Sequence, residues 1–213
     1  IDHSGRLPLL TRRDFNGRIV ATRVTKDACS YLLPDSAHIQ ESDANYLNYK
    51  TVRKAISQSD GRHGNRRQSD RENAELRKKL KRKHRIAADE IDKLLRRFRL
   101  KGVQPLYTST DAENALEAME GYPFRTPVTI GKGLTVTFYP AGHILGSAIS
   151  IFTYDPGNGS KPLRVCYTGD IGRYDKPILK DPAKNFAEEH RDIDLMIMES
   201  TYGDRLHDPV VDL

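Results

Sequence analysis

His143, Asp170 and Glu199 are the residues of this chain best suited to chemistry, and each one directly follows an apolar, strand-like run. The runs are Leu-Thr-Val-Thr-Phe at 134–138, Leu-Arg-Val-Cys-Tyr at 163–167 and Ile-Asp-Leu-Met-Ile-Met at 193–198. Alternating and β-branched residues of this kind read as strands, so the three polar residues fall where strands give way to loops. Such loops, held by a rigid scaffold, are where sites are usually built. Gly142 and Gly169 stand immediately before His143 and Asp170, which allows tight turns and close approach of another group. Imidazole nitrogen and carboxylate oxygen are zinc ligands, and a catalytic zinc keeps one position for a water whose pKa falls to about 7. Taken singly, a Gly-His is more often a structural histidine and a Gly-Asp a simple turn.

The elements that must position these residues are legible in outline. A short helix follows His3, a strand lies near 18–22, and helical stretches begin at Lys26 and at Asp35. Residues 57–68 are polar and read as a loop. From Arg71 a helical period takes over, with Leu76, Leu80, Ala87, Ile91, Leu94, Leu95 and Phe98 on one stripe that needs a partner surface. Lys101-Gly102 and Pro105 end it. Thr110 to Glu113 has the pattern of a capping box opening a helix to about Glu120. Strands then dominate from Val128 to Tyr167, broken by the turn-forming Asp-Pro-Gly-Asn-Gly-Ser at 155–160. A long irregular loop follows Asp170.

The 213 residues suffice for a real core, and the length suggests one domain or one domain plus an appendage. The net charge of +6 is unevenly placed: residues 62–101 hold 16 Lys/Arg against 6 Asp/Glu, and the remainder is net acidic. The basicity therefore belongs to one insert-like segment. No apolar run approaches the roughly 18 residues of a membrane span, and no membrane partner is expected. Cys29 and Cys166, in apolar surroundings, read as reduced core thiols of a cytoplasmic protein. Opening at Ile1 rather than Met, the chain is expected to be a piece of a longer protein. His38, in a helical run, reads as a surface or hydrogen-bonding residue. His63, His84 and His190 lie in charged stretches and read as solvated, and His207 is close enough to Glu199 in sequence to approach the site.

Ile-Asp-His-Ser-Gly at 1–5 resembles the second half of the His-x-His-x-Asp-His motif of the metallo-β-lactamase superfamily. In order, Asp-Ser-Ala-His-Ile-Gln-Glu at 35–41, Pro-Ala-Gly-His-Ile-Leu-Gly-Ser at 140–147, Thr-Gly-Asp-Ile-Gly-Arg at 168–173 and Glu-Ser-Thr-Tyr-Gly-Asp-Arg at 199–205 are similar to its β-CASP branch. That branch holds the RNA-processing nucleases related to the cleavage and polyadenylation endonuclease and their bacterial ribonuclease members. The likeness covers nearly all of the chain outside residues 57–102. It implies an α/β fold, most of an αββα sandwich, arranged as a first part of the metallo-β-lactamase domain at 1–56, a basic helical insert at 57–102, the domain's continuation at 103–198 and the start of a β-CASP region at 199–213.

The resemblance also implies roles. Asp2 and His3 match ligands of a second metal, His143 matches a ligand of the first, and Asp170 matches the carboxylate bridging both. Asp2 is further expected to orient the attacking water. Glu199 matches the acidic residue that supports a general-acid histidine placed further along the chain. Two Zn2+ ions per full-length chain, with manganese as the other metal such ligands accept, and phosphodiester hydrolysis of RNA follow. The implied partners are RNA and, in a homodimer, a second copy. Ser200, Thr201 and Tyr202, and Lys78, Lys79, Lys81 and Arg82 on the basic helix, are candidate contacts to RNA phosphates. The two histidines expected before Ile1 and the last ligand expected beyond Leu213 lie outside the chain, so by itself it is expected to bind metal poorly and not to turn over RNA. Another hydrolase of the same fold and a non-catalytic RNA-binding scaffold are the rival readings.

Overall fold

A computed structural model describes residues 3–12, 15–58, 75–76, 78 and 87–204. The chain divides into two compact units, residues 1–32 with 114–213 and residues 33–113. Helix α1 (Leu7–Thr11), strand β1 (Ile19–Thr22) and helix α2 (Arg23–Gln58) come first, then helices α3 (Ala88–Arg97) and α4 (Ser109–Glu117). Strands β2 (Met119–Tyr122), β3 (Val128–Gly131), β4 (Leu134–Pro140), β5 (Ala148–Tyr154), β6 (Leu163–Tyr167) and β7 (Leu195–Ile197) follow. The fold is mixed α/β, as expected. No helix among the described residues is long and apolar enough to cross a membrane.

In the first unit β1 and β2 form a two-stranded parallel sheet, and β3-β4-β5-β6-β7 a second sheet in that order. Strand β2, at the place where the sequence suggested a helix running to Glu120, is set by pairing Ile19 with Met119 and Thr22 with Tyr122. Helix α4 stops at Glu117 because Met119, fully buried, is held by this ladder.

Strand direction in the larger sheet sets where the loops gather. Strand β5 is antiparallel to both β4 and β6, and β7 is parallel to β6. Strands β4, β6 and β7 therefore all run the same way, and their C-terminal ends lie at one end of the sheet. Asp194 aligns the parallel pair, its carboxylate accepting Arg164 N–H at 2.8 Å while its own N–H reaches Arg164 O at 3.0 Å.

Strand β4 is buried on both faces, so its side chains seed two cores. Val136 and Phe138 pack with Val128 on one side, while Tyr139 packs with Ile149, Ile151 and Cys166 on the other. Each such buried side chain is worth roughly 1.5–3 kcal/mol. Both cysteines are free and buried, and burial pushes the Cys166 thiol up. His190, expected in solvent, is instead buried at the end of a 3-10 turn, Glu188–His190. Its Nδ1 lies 2.8 Å from the Tyr139 hydroxyl, which accepts Ala187 N–H at 3.1 Å. Neighbouring charged residues in the sequence concealed an aromatic core position.

Helix α2 is continuous where two helical stretches were expected. It passes through Pro34, whose missing N–H leaves the Ser30 carbonyl without its usual helical donor. Burial of the face carrying Cys29, Leu33, Ala37, Ala44, Val52 and Ile56, recurring mostly every fourth residue, holds the helix together.

The second unit gives the apolar stripe its partner. Val52 and Ile56 pack with Ile91, Leu94 and Leu95, and Leu76 and Phe98 flank them. Asn48, almost fully buried, donates to Val103 O at 2.9 Å and accepts Val103 N–H at 2.7 Å. The capping box falls two residues earlier than its sequence pattern suggested. Thr108 is the cap: Asp111 N–H donates to its Oγ1 at 3.2 Å, and the Asp111 carboxylate accepts Thr108 N–H at 2.8 Å. Of the loop expected at 57–68, Ser57 and Gln58 instead continue helix α2, and residues 59–68, with His63, lie outside the described residues.

Candidate metal centre

The common end of β4, β6 and β7 is where His143, Asp170 and Glu199 stand. His143 lies in the loop after β4, and that loop is fixed by Ser147, whose Oγ accepts the N–H groups of His143 at 3.1 Å and Ile144 at 3.3 Å. Gly142 has φ +67°, and a Cβ there would come within 2.6 Å of Pro182 Cδ and 2.9 Å of Lys180 O. No other residue fits that approach without movement. Asp170 lies in the loop after β6. The two loops are tied together by Gly172 N–H donating to Ala141 O at 2.8 Å, and the β6 end to the β7 end by Thr168 N–H donating to Ile197 O at 3.0 Å.

These ties bring the side chains together. His3 Nε2 is 3.0 Å from Asp170 Oδ2, and His143 Nε2 is 3.8 Å from the same oxygen. Asp170 and His143 are each about one-third exposed, while His3 is largely exposed. One carboxylate oxygen thus faces two imidazoles. Glu199 Oε1 accepts Ile171 N–H at 2.6 Å. That bond, with others from the Thr201 side chain and backbone and the nearby His143, holds the Glu199 carboxyl below the usual carboxylate range. The consequence is mechanical as well as electrostatic, because Ile171 adjoins Asp170.

Not every sequence candidate joins this group. Ser200, Thr201 and Tyr202 form an exposed turn after Glu199, and Thr201 is engaged in holding Glu199. Lys78 is exposed and helical. Asp2, Lys79, Lys81, Arg82, His84 and His207 lie outside the described residues. Ser147 is the positioning residue that sequence reasoning left without a role; its signal is a hydroxyl four residues after a Gly-His turn, the spacing at which Ser satisfies loop N–H groups.

Two imidazoles around a carboxylate make a nitrogen and oxygen donor set that suits zinc. Among the described residues no three His, Cys, Asp or Glu side chains close into a metal-holding group. His3 is hydrogen-bonded directly to the Asp170 oxygen instead. The donors present fit a metal chemically as part of a ligand set.

The chain is thus a mixed α/β protein with two histidines and a carboxylate gathered at one end of a sheet. The chain is 24% identical to the endoribonuclease YSH1 of Gibberella zeae over 98% of its own length and 17% of that protein's. It is 33% identical to a ribonuclease of Thermus thermophilus over 50% of the chain and 22% of the relative. It is 31% identical to the cleavage and polyadenylation specificity factor subunit 3 of Dictyostelium discoideum over 49% and 12%. No family model matches the chain. Its homologues are the β-CASP ribonucleases of the metallo-β-lactamase superfamily, matched over part of their length. The chain spans about a fifth or less of these three relatives.

Proposed function

We propose that the chain forms part of a metal-dependent ribonuclease that hydrolyses RNA phosphodiester bonds, with His3, His143 and Asp170 contributing to a zinc site. The observation that carries this reading is the convergence of both imidazoles on one Asp170 oxygen, on a chain whose homologues are named ribonucleases. Bound there, zinc would supply an activated water and charge stabilisation at phosphorus. The αββα sandwich and Asp2 as a further ligand belong to the same proposal.

The chain's own residues have separable tasks. Asp170 presents one oxygen to both His3 and His143, and would hold a metal through that carboxylate. Ser147 fixes the direction of the His143 loop, and Glu199 fixes the Asp170 loop through Ile171 N–H. Glu199 thereby acts as a positioning residue. The test is metal content and RNA cleavage of the intact protein. His143→Ala and Asp170→Asn are expected to lose bound zinc, measured by mass spectrometry, together with cleavage. Retention of zinc and of cleavage by both variants would refute the assignment.

A further inference from the structure

A cavity of about 740 Å³ lies in the first unit, and Lys180 and Pro182 in its wall pack against Gly142 of the loop that carries His143. Its volume falls within the roughly 300–1,000 Å³ of sites that take small molecules or single nucleotides. Four cations line it, Arg23, Arg125, Lys180 and Lys184, against one carboxylate, Asp181. Asp181 is turned to its own loop, where Oδ1 accepts Asp175 N–H at 2.9 Å. Three aromatic rings, Tyr122, Phe124 and Tyr174, share the walls.

The cations are arranged in two ways. Arg125 is built into the frame, its guanidinium over the Tyr139 ring at 5.1 Å and its Nη1 donating to Asn185 O at 2.8 Å. Lys184 Nζ stands 3.9 Å from the centre of the Tyr174 ring. Arg23 and Lys180 are exposed. Arg23 opens helix α2, so the helix N-terminus adds a favourable field for an anion. A second cavity, of about 240 Å³, shares Val24, Phe124, Pro140 and Lys180 with the first and is lined by Gly142, Ile144 and Ser147. The two together run from the cation-rich pocket to the loop that carries His143.

We propose that this cavity receives a nucleotide of a single-stranded RNA whose neighbouring phosphate lies at the His143 and Asp170 centre, the base stacking on the aromatic wall and the phosphates facing Arg23, Lys180 and Lys184. The proposal rests on the ribonuclease reading and adds a binding track to it. Cations alone would serve any anion. Aromatic faces interleaved with cations are the composition that holds unpaired bases and their backbone, since every base has a face to stack and every linkage a charge. The pairing of Lys184 with Tyr174 pre-positions both types of contact.

The experiment measures binding of a 5′-fluorescein-labelled oligouridylate to the intact protein by fluorescence anisotropy, in EDTA and between 50 and 200 mM salt. Tyr174→Leu is expected to weaken binding by about 5- to 100-fold with the salt slope unchanged, and Tyr174→Phe to restore it. The Arg23→Ala and Lys180→Ala double variant is expected to weaken binding and to flatten the salt slope by about 1.4, roughly 0.7 for each single-strand phosphate no longer neutralised. Photocrosslinking of a 4-thiouridine oligonucleotide to the wild type gives a readout independent of the variants, and adducts are expected at Tyr122 to Arg125 or Tyr174 to Lys184. If the wild type cleaves and binds RNA while the variants keep its affinity and slope and no adduct falls in those segments, the cavity assignment alone is overturned. If the wild type neither binds nor cleaves RNA, the ribonuclease reading fails first. Binding of a polyglutamate peptide as tight as that of RNA, and lost with Lys180→Ala, assigns the cavity to an acidic protein segment and also overturns the proposal.

Discussion

Gly142 permits a quantitative test of how tightly the two loops of the centre are packed. Gly142 and Gly157 have nearly the same φ, +67° and +69°, but a Cβ at Gly142 would meet Pro182 and Lys180 under 3.0 Å whereas nothing lies within 4 Å of a Cβ at Gly157. Replacing either by Ala places a side chain in the left-handed region, a cost of about 1–2 kcal/mol. A smaller gain of about 0.4–1 kcal/mol from the stiffer unfolded chain offsets part of it. Only Gly142→Ala adds overpacking, typically about 1–3 kcal/mol. Two of its three close neighbours are backbone atoms, which cannot rotate away as a flexible side-chain end would. The difference between the two variants reports chiefly the steric contribution, because both residues sit at nearly the same positive φ. Urea unfolding of both variants should place Gly142→Ala lower in stability than Gly157→Ala by about 1–3 kcal/mol. On the proposed function, RNA cleavage by the intact protein should fall only in Gly142→Ala, since the strain is relieved by moving the loop that bears His143. Equal stabilities would refute the close packing of the 142 and 180–182 backbones.

Three further outcomes arise from particular interactions. Burial lowers the His190 pKa below its ordinary value near 6.5, with Glu189 opposing and Arg164 reinforcing the shift. The unfolded chain then binds more protons, so stability is full above about pH 6.5 and declines as pH falls toward the lowered native value; a urea midpoint that drops between pH 7.5 and 5, and drops less in His190→Gln, is the check. Thr22 Oγ1 accepts Thr25 N–H at 3.1 Å and lies 2.9 Å from Gly146 O, so Thr22→Val removes both the cap of α2 and a tie to the His143 loop; a thermal melt should show a loss of about 0.5–2 kcal/mol, whereas Thr22→Ser retains most of it. Asn48→Ala removes both hydrogen bonds to Val103 and leaves two partly buried backbone groups without them, an expected loss of about 2–4 kcal/mol in chemical unfolding; wild-type stability would show that water replaces them at little cost.

Much of this protein could be read from local pattern, and the failures share a cause. The apolar runs before His143, Asp170 and Glu199 announced β4, β6 and β7, because alternation and β-branching are properties of neighbours in sequence. Strand β2 was missed because Met-Glu-Gly-Tyr has no strand-like alternation of its own and is fixed by pairing with β1. His190 was misplaced because its charged neighbours point outward while it alone turns toward Tyr139. The break expected within α2 did not occur, since burial along one face outweighed the local penalty of Pro34.

Residue identity determined the kind of chemistry: imidazoles and carboxylates after strands, a basic segment with an apolar stripe, and blocks similar to a nuclease family. Only the tertiary structure decided that those residues meet. With β5 antiparallel to both neighbours and β7 parallel to β6, three strand ends separated by about thirty residues each come to one end of the sheet. It also assembled the cation-rich cavity from Arg23, Arg125, Lys180 and Lys184, which no sequence window contains together. Strand direction and the pairing of distant segments arise from burial and hydrogen bonding across the chain, and so cannot be read from the order of residues along it.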